Sequence, residues 1–231
     1  RGLLPFDEMH ADFFFGRDEE ISAMVERLRR EPLLPVVGPS GAGKSSLVQA
    51  GLIPRLRDQT RWLVLSMRPG PRPFLLLASR LLDGQGTDPK LSFPHPRTSG
   101  SGGLKNGVLE NGEDSGLQPI DERVQSLAQQ LREKPQTLNL QLQKLAEHKN
   151  SRILLFIDQM EEIHGLVADE KIRQAFMEAI CSGADDPQDP IRIVFTLRDD
   201  FLGRLAAGSR VRESLSRVWV VRNPGLHALR E

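Results

Sequence analysis

Residues 33 to 49 read LLPVVGPSGAGKSSLVQ. A short apolar run, Leu33 to Val37, breaks into Gly38, Pro39, Ser40, Gly41, Ala42, Gly43, Lys44 and Ser45. This stretch meets the pattern GxxxxGK followed by Ser or Thr at every fixed position, and helix-forming residues come next. A buried strand, a glycine-rich turn and an amphipathic helix, in that order, make a phosphate-binding loop. A glycine-rich turn that matched by accident would lack the strand and the helix.

The chemistry requires this composition. Successive backbone N–H groups converge on one phosphate chain only where side chains do not block the way, so glycine belongs at Gly38, Gly41 and Gly43. The helix that starts near Gly43 adds the partial positive charge of its N-terminus, about half an elementary unit. Lys44 is expected to reach the β- and γ-phosphates as a point charge, and the Ser45 hydroxyl to be a Mg²⁺ ligand. The candidate nucleotide-binding set here is Gly38 through Ser46: Gly38, Pro39, Ser40, Gly41, Ala42, Gly43, Lys44, Ser45 and Ser46.

Upstream, Ile21, Met24, Val25 and Leu28 form the stripe of an amphipathic helix that Pro32 stops. Downstream, the loop helix is expected to run from Ser45 to about Ile53, where Pro54 ends or kinks it. Further strands are expected at Trp62 to Met67, Ser151 to Asp158, Ile191 to Leu197 and Val218 to Val221, with helices between them. Alternation of this kind predicts a parallel sheet with right-handed crossovers. Residues 84–118, rich in Gly, Pro, Ser and Asn, are expected to be a mobile, low-complexity surface loop. Residues 119–149 then read as a helical insertion within one domain that covers residues 1–231.

Ligands of a parallel α/β sheet sit at the carboxyl ends of its strands. Asp158 ends one such strand, where it can hold Mg²⁺ through water; a turn-initiating or helix-capping Asp is the bland alternative. Glu161 and Glu162 follow, and either can polarise the attacking water while the other is a solvated or capping residue. Arg198 ends another strand, where it can touch a γ-phosphate or simply pair with Asp199, Asp200 or Glu161.

The 231 residues carry 31 Lys plus Arg against 31 Asp plus Glu, so no net field draws nucleic acid or an anionic membrane. No run is apolar enough to span a bilayer and no signal peptide opens the chain, which points to the cytoplasm. The lone Cys181 has no disulfide partner, and the five histidines form no triad or metal cluster. The chain opens with Arg, and a fragment of a longer polypeptide is expected.

In the blocks ADFFFGRDEEI, VVGPSGAGKSSLVQAGLIPRL, ILLFIDQMEEI and IRIVFTLRDDFLGRL, the chain resembles the STAND class of signal-transduction ATPases, and within it the novel STAND group. The resemblance implies a three-layer α/β P-loop NTPase fold of the additional-strand type, with about five parallel strands in the order 5-1-4-3-2. It implies that Phe15, Gly16 and Arg17 pack against the adenine, that Asp158 is the metal aspartate, and that Arg198 is a sensor arginine. Met160 stands where the family pattern has Phe, which keeps an apolar anchor.

The resemblance also implies an ATP- and Mg²⁺-dependent switch that hydrolyses ATP slowly, self-associates with the nucleotide bound, and is fused to sensor or effector domains. Two other readings stay open: a nucleotide-holding interaction module without turnover, and a small-molecule kinase using Arg68, Arg72 and Arg97. A DNA-dependent motor is disfavoured by the balanced charge.

Overall fold

The computed structural model describes residues 14, 16–85, 121–205, 211, 213 and 215–222. The expected surface loop therefore falls almost wholly outside the described residues, as does Phe15. Among the described residues five strands form one parallel sheet: β1 (Leu33–Gly38), β2 (Trp62–Met67), β3 (Arg152–Ile157), β4 (Ile191–Arg198) and β5 (Trp219–Val220). Their order is β2-β3-β4-β1-β5, which is the expected order 5-1-4-3-2 read from the other edge.

The period of two along the strands explains the layers. On β3, Ile153, Leu155 and Ile157 join one apolar cluster, while Leu154 and Phe156 join another. β1 and β4 divide in the same way, with Val37, Ile193, Phe195 and Leu197 on the first face and Leu34, Val36 and Val194 on the second. A sheet buried on both faces reads as unbroken apolar runs, and each large side chain so buried contributes about 1.5–3 kcal/mol.

The second face is covered by α1 (Asp18–Arg30) and by the helix that leaves the phosphate loop. α1 presents Ile21, Met24, Val25 and Leu28 to the sheet, with acids in its first turn and arginines in its last, as the helix dipole favours. The first face is covered by α4 (Pro73–Gln85), α5 (Glu122–Glu133), α6 (Thr137–Lys149) and α8 (Glu170–Ser182). Leu77 and Leu81 of α4, Leu131 of α5, Leu138 and Leu142 of α6 and Phe176 of α8 all lie in that one core. The leucine spacing of α5 and α6 thus serves packing.

The helix after the loop differs from expectation. It opens as α2 (Lys44–Ser46), widens into a π-helical stretch (Leu47–Leu52), and continues past Pro54 as α3 (Ile53–Arg57). Proline lacks an N–H and crowds the carbonyl four residues back. Here the Ile53 N–H reaches back five residues to the Val48 carbonyl. The ladder is already widened before Pro54, so the chain absorbs the proline within the helix.

One buried cation sits at the rim opposite the loop. Arg192, 2 % exposed, lies on β4 and donates to the carbonyls of Leu28, Pro187, Asp189 and Ile191. Burial pushes its guanidinium down to about 10, still charged at neutral pH. Because the Leu28 carbonyl lies in the last turn of α1, this contact ties that helix end to the sheet.

Candidate nucleotide site

Strand register brings the candidate residues to one rim. Gly38 pairs with Arg198, Ile157 with Phe195 and Met67 with Ile157. Arg68, Asp158, Arg198 and Gly38 therefore stand at the carboxyl ends of four neighbouring strands. The Asp158 N–H donates to the Met67 carbonyl at 2.9 Å, which fixes the backbone where the sheet ends.

Between β1 and α2 the loop turns twice through left-handed backbone, at Gly41 (φ +78°) and Gly43 (φ +80°). Nothing lies within 4 Å of where a Gly41 Cβ would be, so the requirement there is conformational. Gly38 is needed for a different reason: a Cβ would stand 2.3 Å from the Val221 carbonyl oxygen, in the segment leaving β5. Ser40 and Gly41 are exposed at the apex, and Ala42 is buried beneath it.

Lys44 is only 9 % exposed, and its ammonium donates to the Gly38 and Pro39 carbonyls at 2.8 Å each. Burial pushes its pKa down from the ordinary amine value; Glu161, Asp199 and Asp158 oppose this and Arg198 adds to it. Two of three ammonium donors are used, and the third remains for an anion at the loop.

Asp158, 2 % exposed, is the hub. Its Oδ1 accepts from the Ser45 hydroxyl at 2.5 Å and from the Thr196 hydroxyl at 2.7 Å. Its Oδ2 accepts from Arg68 Nη2 at 3.1 Å and Nε at 3.3 Å. Thr196 Oγ1 also accepts the Gln159 N–H at 2.8 Å, and the Thr196 carbonyl accepts the Met160 N–H at 2.9 Å. Gln159 sits at φ +56°, an uncommon conformation for a residue with a side chain. Met160 is fully buried and anchors the turn.

Glu161 immediately precedes α7 (Glu162–Leu166) without capping it through its side chain, and its Oε2 accepts the Arg198 N–H at 3.3 Å. Burial raises the Glu162 pKa; Arg68 opposes this, and Asp158 and Glu161 add to it. The Arg198 guanidinium lies on the Asp200 carboxylate at 3.0 and 2.8 Å and over the Phe201 ring at 5.5 Å. The pairing with Asp200, one of the alternatives open from sequence, is thus the one adopted.

Arg17 reaches the loop from before α1. Its Nη2 donates to the Ala42 carbonyl at 3.1 Å and to the Arg222 carbonyl at 3.4 Å, and its Nη1 pairs with Glu20 at 3.4 Å. Gly16 precedes it at φ +82°. Two residues that the sequence left in the background prove central: Arg68, considered only for a small-molecule kinase, and Thr196, two residues before Arg198. The available signal was position, since Arg68 follows its strand as directly as Asp158 follows its own.

Hard oxygen donors meet where a hydrated Mg²⁺ would need them, the Ser45 hydroxyl beside the buried Asp158 carboxylate, so the donor set fits that ion. Among the described residues no group of three or more His, Cys, Asp or Glu side chains forms a metal cage. Ser45 and Asp158 would thus hold the ion together with substrate phosphates, the usual manner for Mg²⁺.

A family model described as Novel STAND NTPase 1 matches residues 1–231. Among solved structures, the chain is similar to a Walker-type ATPase of Pyrococcus abyssi, with a TM-score of 0.52 and 18% sequence identity over 95% of this chain and 56% of that one. The chain therefore spans a little over half the length of that neighbour, and the likeness is one of fold. No curated protein sequence matches it. Among the described residues no helix is long and apolar enough to cross a membrane.

Proposed function

This chain belongs to the novel STAND NTPase 1 family, and from that premise we propose that it is an ATP-binding, slowly ATP-hydrolysing switch domain that works with Mg²⁺. The observation that carries the reading is the 2.5 Å contact between the Ser45 hydroxyl and Asp158 Oδ1. It joins the phosphate loop to the carboxylate of a different strand at a single point, as a shared metal site requires.

Lys44 holds the β- and γ-phosphates from the loop side. The backbone N–H groups of the loop and the start of α2 face the same oxygens. Ser45 and Asp158 would hold Mg²⁺, which supplies positive charge at the phosphate oxygens. Gly16 and Arg17, beside Ala42, border the nucleoside end of the site.

For hydrolysis, the oxygen of a water forms a bond to the γ-phosphorus as the bond to the β–γ bridging oxygen breaks. The bond's electron pair leaves with ADP, and the water's proton passes to a carboxylate and on to phosphate or solvent. We assign that carboxylate to Glu161, whose Oε2 accepts the Arg198 N–H at 3.3 Å, at the end of the strand that pairs with Gly38 of the loop. Arg198 gives up Asp200 to meet the γ-phosphate. Their side chains are 42% and 52% exposed, so this ion pair is worth at most about 1 kcal/mol and exchanges readily.

A switch driven from 1:99 to 99:1 needs about 5.5 kcal/mol of preference for one state. The contacts of Lys44 and Arg198 with the γ-phosphate distinguish ATP from ADP and are the source assigned here. Nucleotide-dependent self-association would be their readout.

The test is nucleotide affinity and phosphate release for wild type, Lys44→Ala, Asp158→Asn, Glu161→Gln and Glu162→Gln, with light scattering in ATP and in ADP. Lys44→Ala should lose binding, and Asp158→Asn and Glu161→Gln should bind but fail to turn over. Wild-type hydrolysis in all four would end the reading. Transfer of phosphate to a metabolite would favour a kinase instead.

A further inference from the structure

Asp158 divides its two oxygens between different tasks. Oδ1 is taken by the Ser45 and Thr196 hydroxyls, both fixed by strand and loop. Oδ2 carries the guanidinium of Arg68 through two nitrogens, at 3.1 and 3.3 Å. A hydrated divalent cation beside Ser45 would draw on that same Oδ2, the oxygen the hydroxyls leave over. One cation therefore stands on the face of the carboxylate that another must use.

The two partners are unequal in freedom. The Asp158 side chain is 3% exposed and Arg68 is 38% exposed, so Arg68 is the one that can leave. Its backbone is held where Asp158 needs it, since Met67 pairs with Ile157 and the buried Pro69 and Gly70 (φ +60°) turn the chain directly afterwards. A buried carboxylate without a counter-charge is costly, so something must neutralise it in the absence of metal.

We propose that Arg68 is a cationic placeholder: it neutralises Asp158 in the nucleotide-free chain and gives up Oδ2 when Mg²⁺ and nucleotide load. This rests on the nucleotide-site reading above. Arg68 thereby sets the free Mg²⁺ concentration at which the site closes, and acts as a positioning residue without touching the reacting atoms.

The experiment measures the affinity of fluorescent ADP across a series of free Mg²⁺ concentrations and in EDTA, for wild type, Arg68→Gln and Arg68→Lys. The half-saturating Mg²⁺ should fall about fivefold in Arg68→Gln, the scale of one partly exposed ion pair. It should fall less in Arg68→Lys, and affinity in EDTA should not change. In nucleotide-free protein, Arg68→Gln should lower the thermal midpoint when Asp158 is present and leave it unmoved in the Asp158→Asn background. An unmoved Mg²⁺ half-point in either variant overturns the proposal, and so does a loss of affinity in EDTA, which would make Arg68 a phosphate ligand. Wild type that binds no ADP even with Mg²⁺ would instead sink the nucleotide-site reading, and this inference with it.

Discussion

The Thr196 hydroxyl donates to Asp158 Oδ1 at 2.7 Å and accepts the Gln159 N–H at 2.8 Å, so one side chain on β4 holds both the carboxylate and the backbone turn after it. Thr196 is fully buried. In Thr196→Val the shape is kept, but an amide and a carboxylate lone pair lose their partner inside the protein. The expected cost is about 1–3 kcal/mol, read as a shift in the urea midpoint, with Thr196→Ser restoring most of it. A loss in the serine variant with none in the valine variant would show that the methyl group, and not the hydroxyl, is what matters.

Two loop glycines should respond in opposite order to what their backbone angles suggest. Gly41→Ala places a side chain in open space at φ +78° and should cost about 1 kcal/mol. Gly38 has ordinary angles, yet an added Cβ would strike the Val221 carbonyl at 2.3 Å, so Gly38→Ala should cost about 3 kcal/mol. Hydrogen exchange should show the loss concentrated at β5, whose pairing with Val36 and Val37 the clash would force apart.

Glu162 carries a pH signature. Burial holds its carboxyl above the ordinary value, so the folded protein binds that proton more tightly than the unfolded chain does. Its contribution to stability is fully present below the unfolded pKa, about 4.3, and is lost as pH rises through the higher folded value. Glu162→Gln cannot ionise and should raise the thermal midpoint above wild type at about pH 7. The two curves should converge below about pH 4. A variant less stable than wild type at neutral pH would contradict the burial cause.

Arg198→Ala removes the guanidinium that pairs with Asp200 and stacks over Phe201. Since that pair is half-exposed, the stability change should stay under about 1 kcal/mol. Single-turnover phosphate release should slow by about 10²-fold, as for loss of one charge-stabilising donor at a reacting centre. ADP affinity should change little, because ADP lacks the γ-phosphate this residue is assigned to meet. A comparable loss for ADP and ATP would place Arg198 elsewhere.

The sequence made the sheet and its loop legible because both rest on local pattern: apolar runs bounded by Gly or Pro, and fixed spacing from Gly38 to Ser45. Asp158 and Arg198 were legible for a related reason, since a polar residue ending an apolar strand has one rim to occupy. The Arg68 contact was not, because it depends on β2 lying beside β3 in a register that pairs Met67 with Ile157. The fate of Pro54 was hidden similarly. Propensity predicts a stop, and only the widened ladder from Leu47 to Leu52 lets the helix continue. The Arg198 partner was undecided between three acids, and packing over Phe201 accompanies the choice of Asp200.

The Arg17 guanidinium reaches two carbonyls at once, that of Ala42 under the loop apex and that of Arg222 beyond β5. A single side chain thus works as a rivet through three pieces of chain: the lead into the first helix, the cradle itself, and the segment that follows the last strand. The cradle and the outgoing segment are therefore joined directly, through one residue.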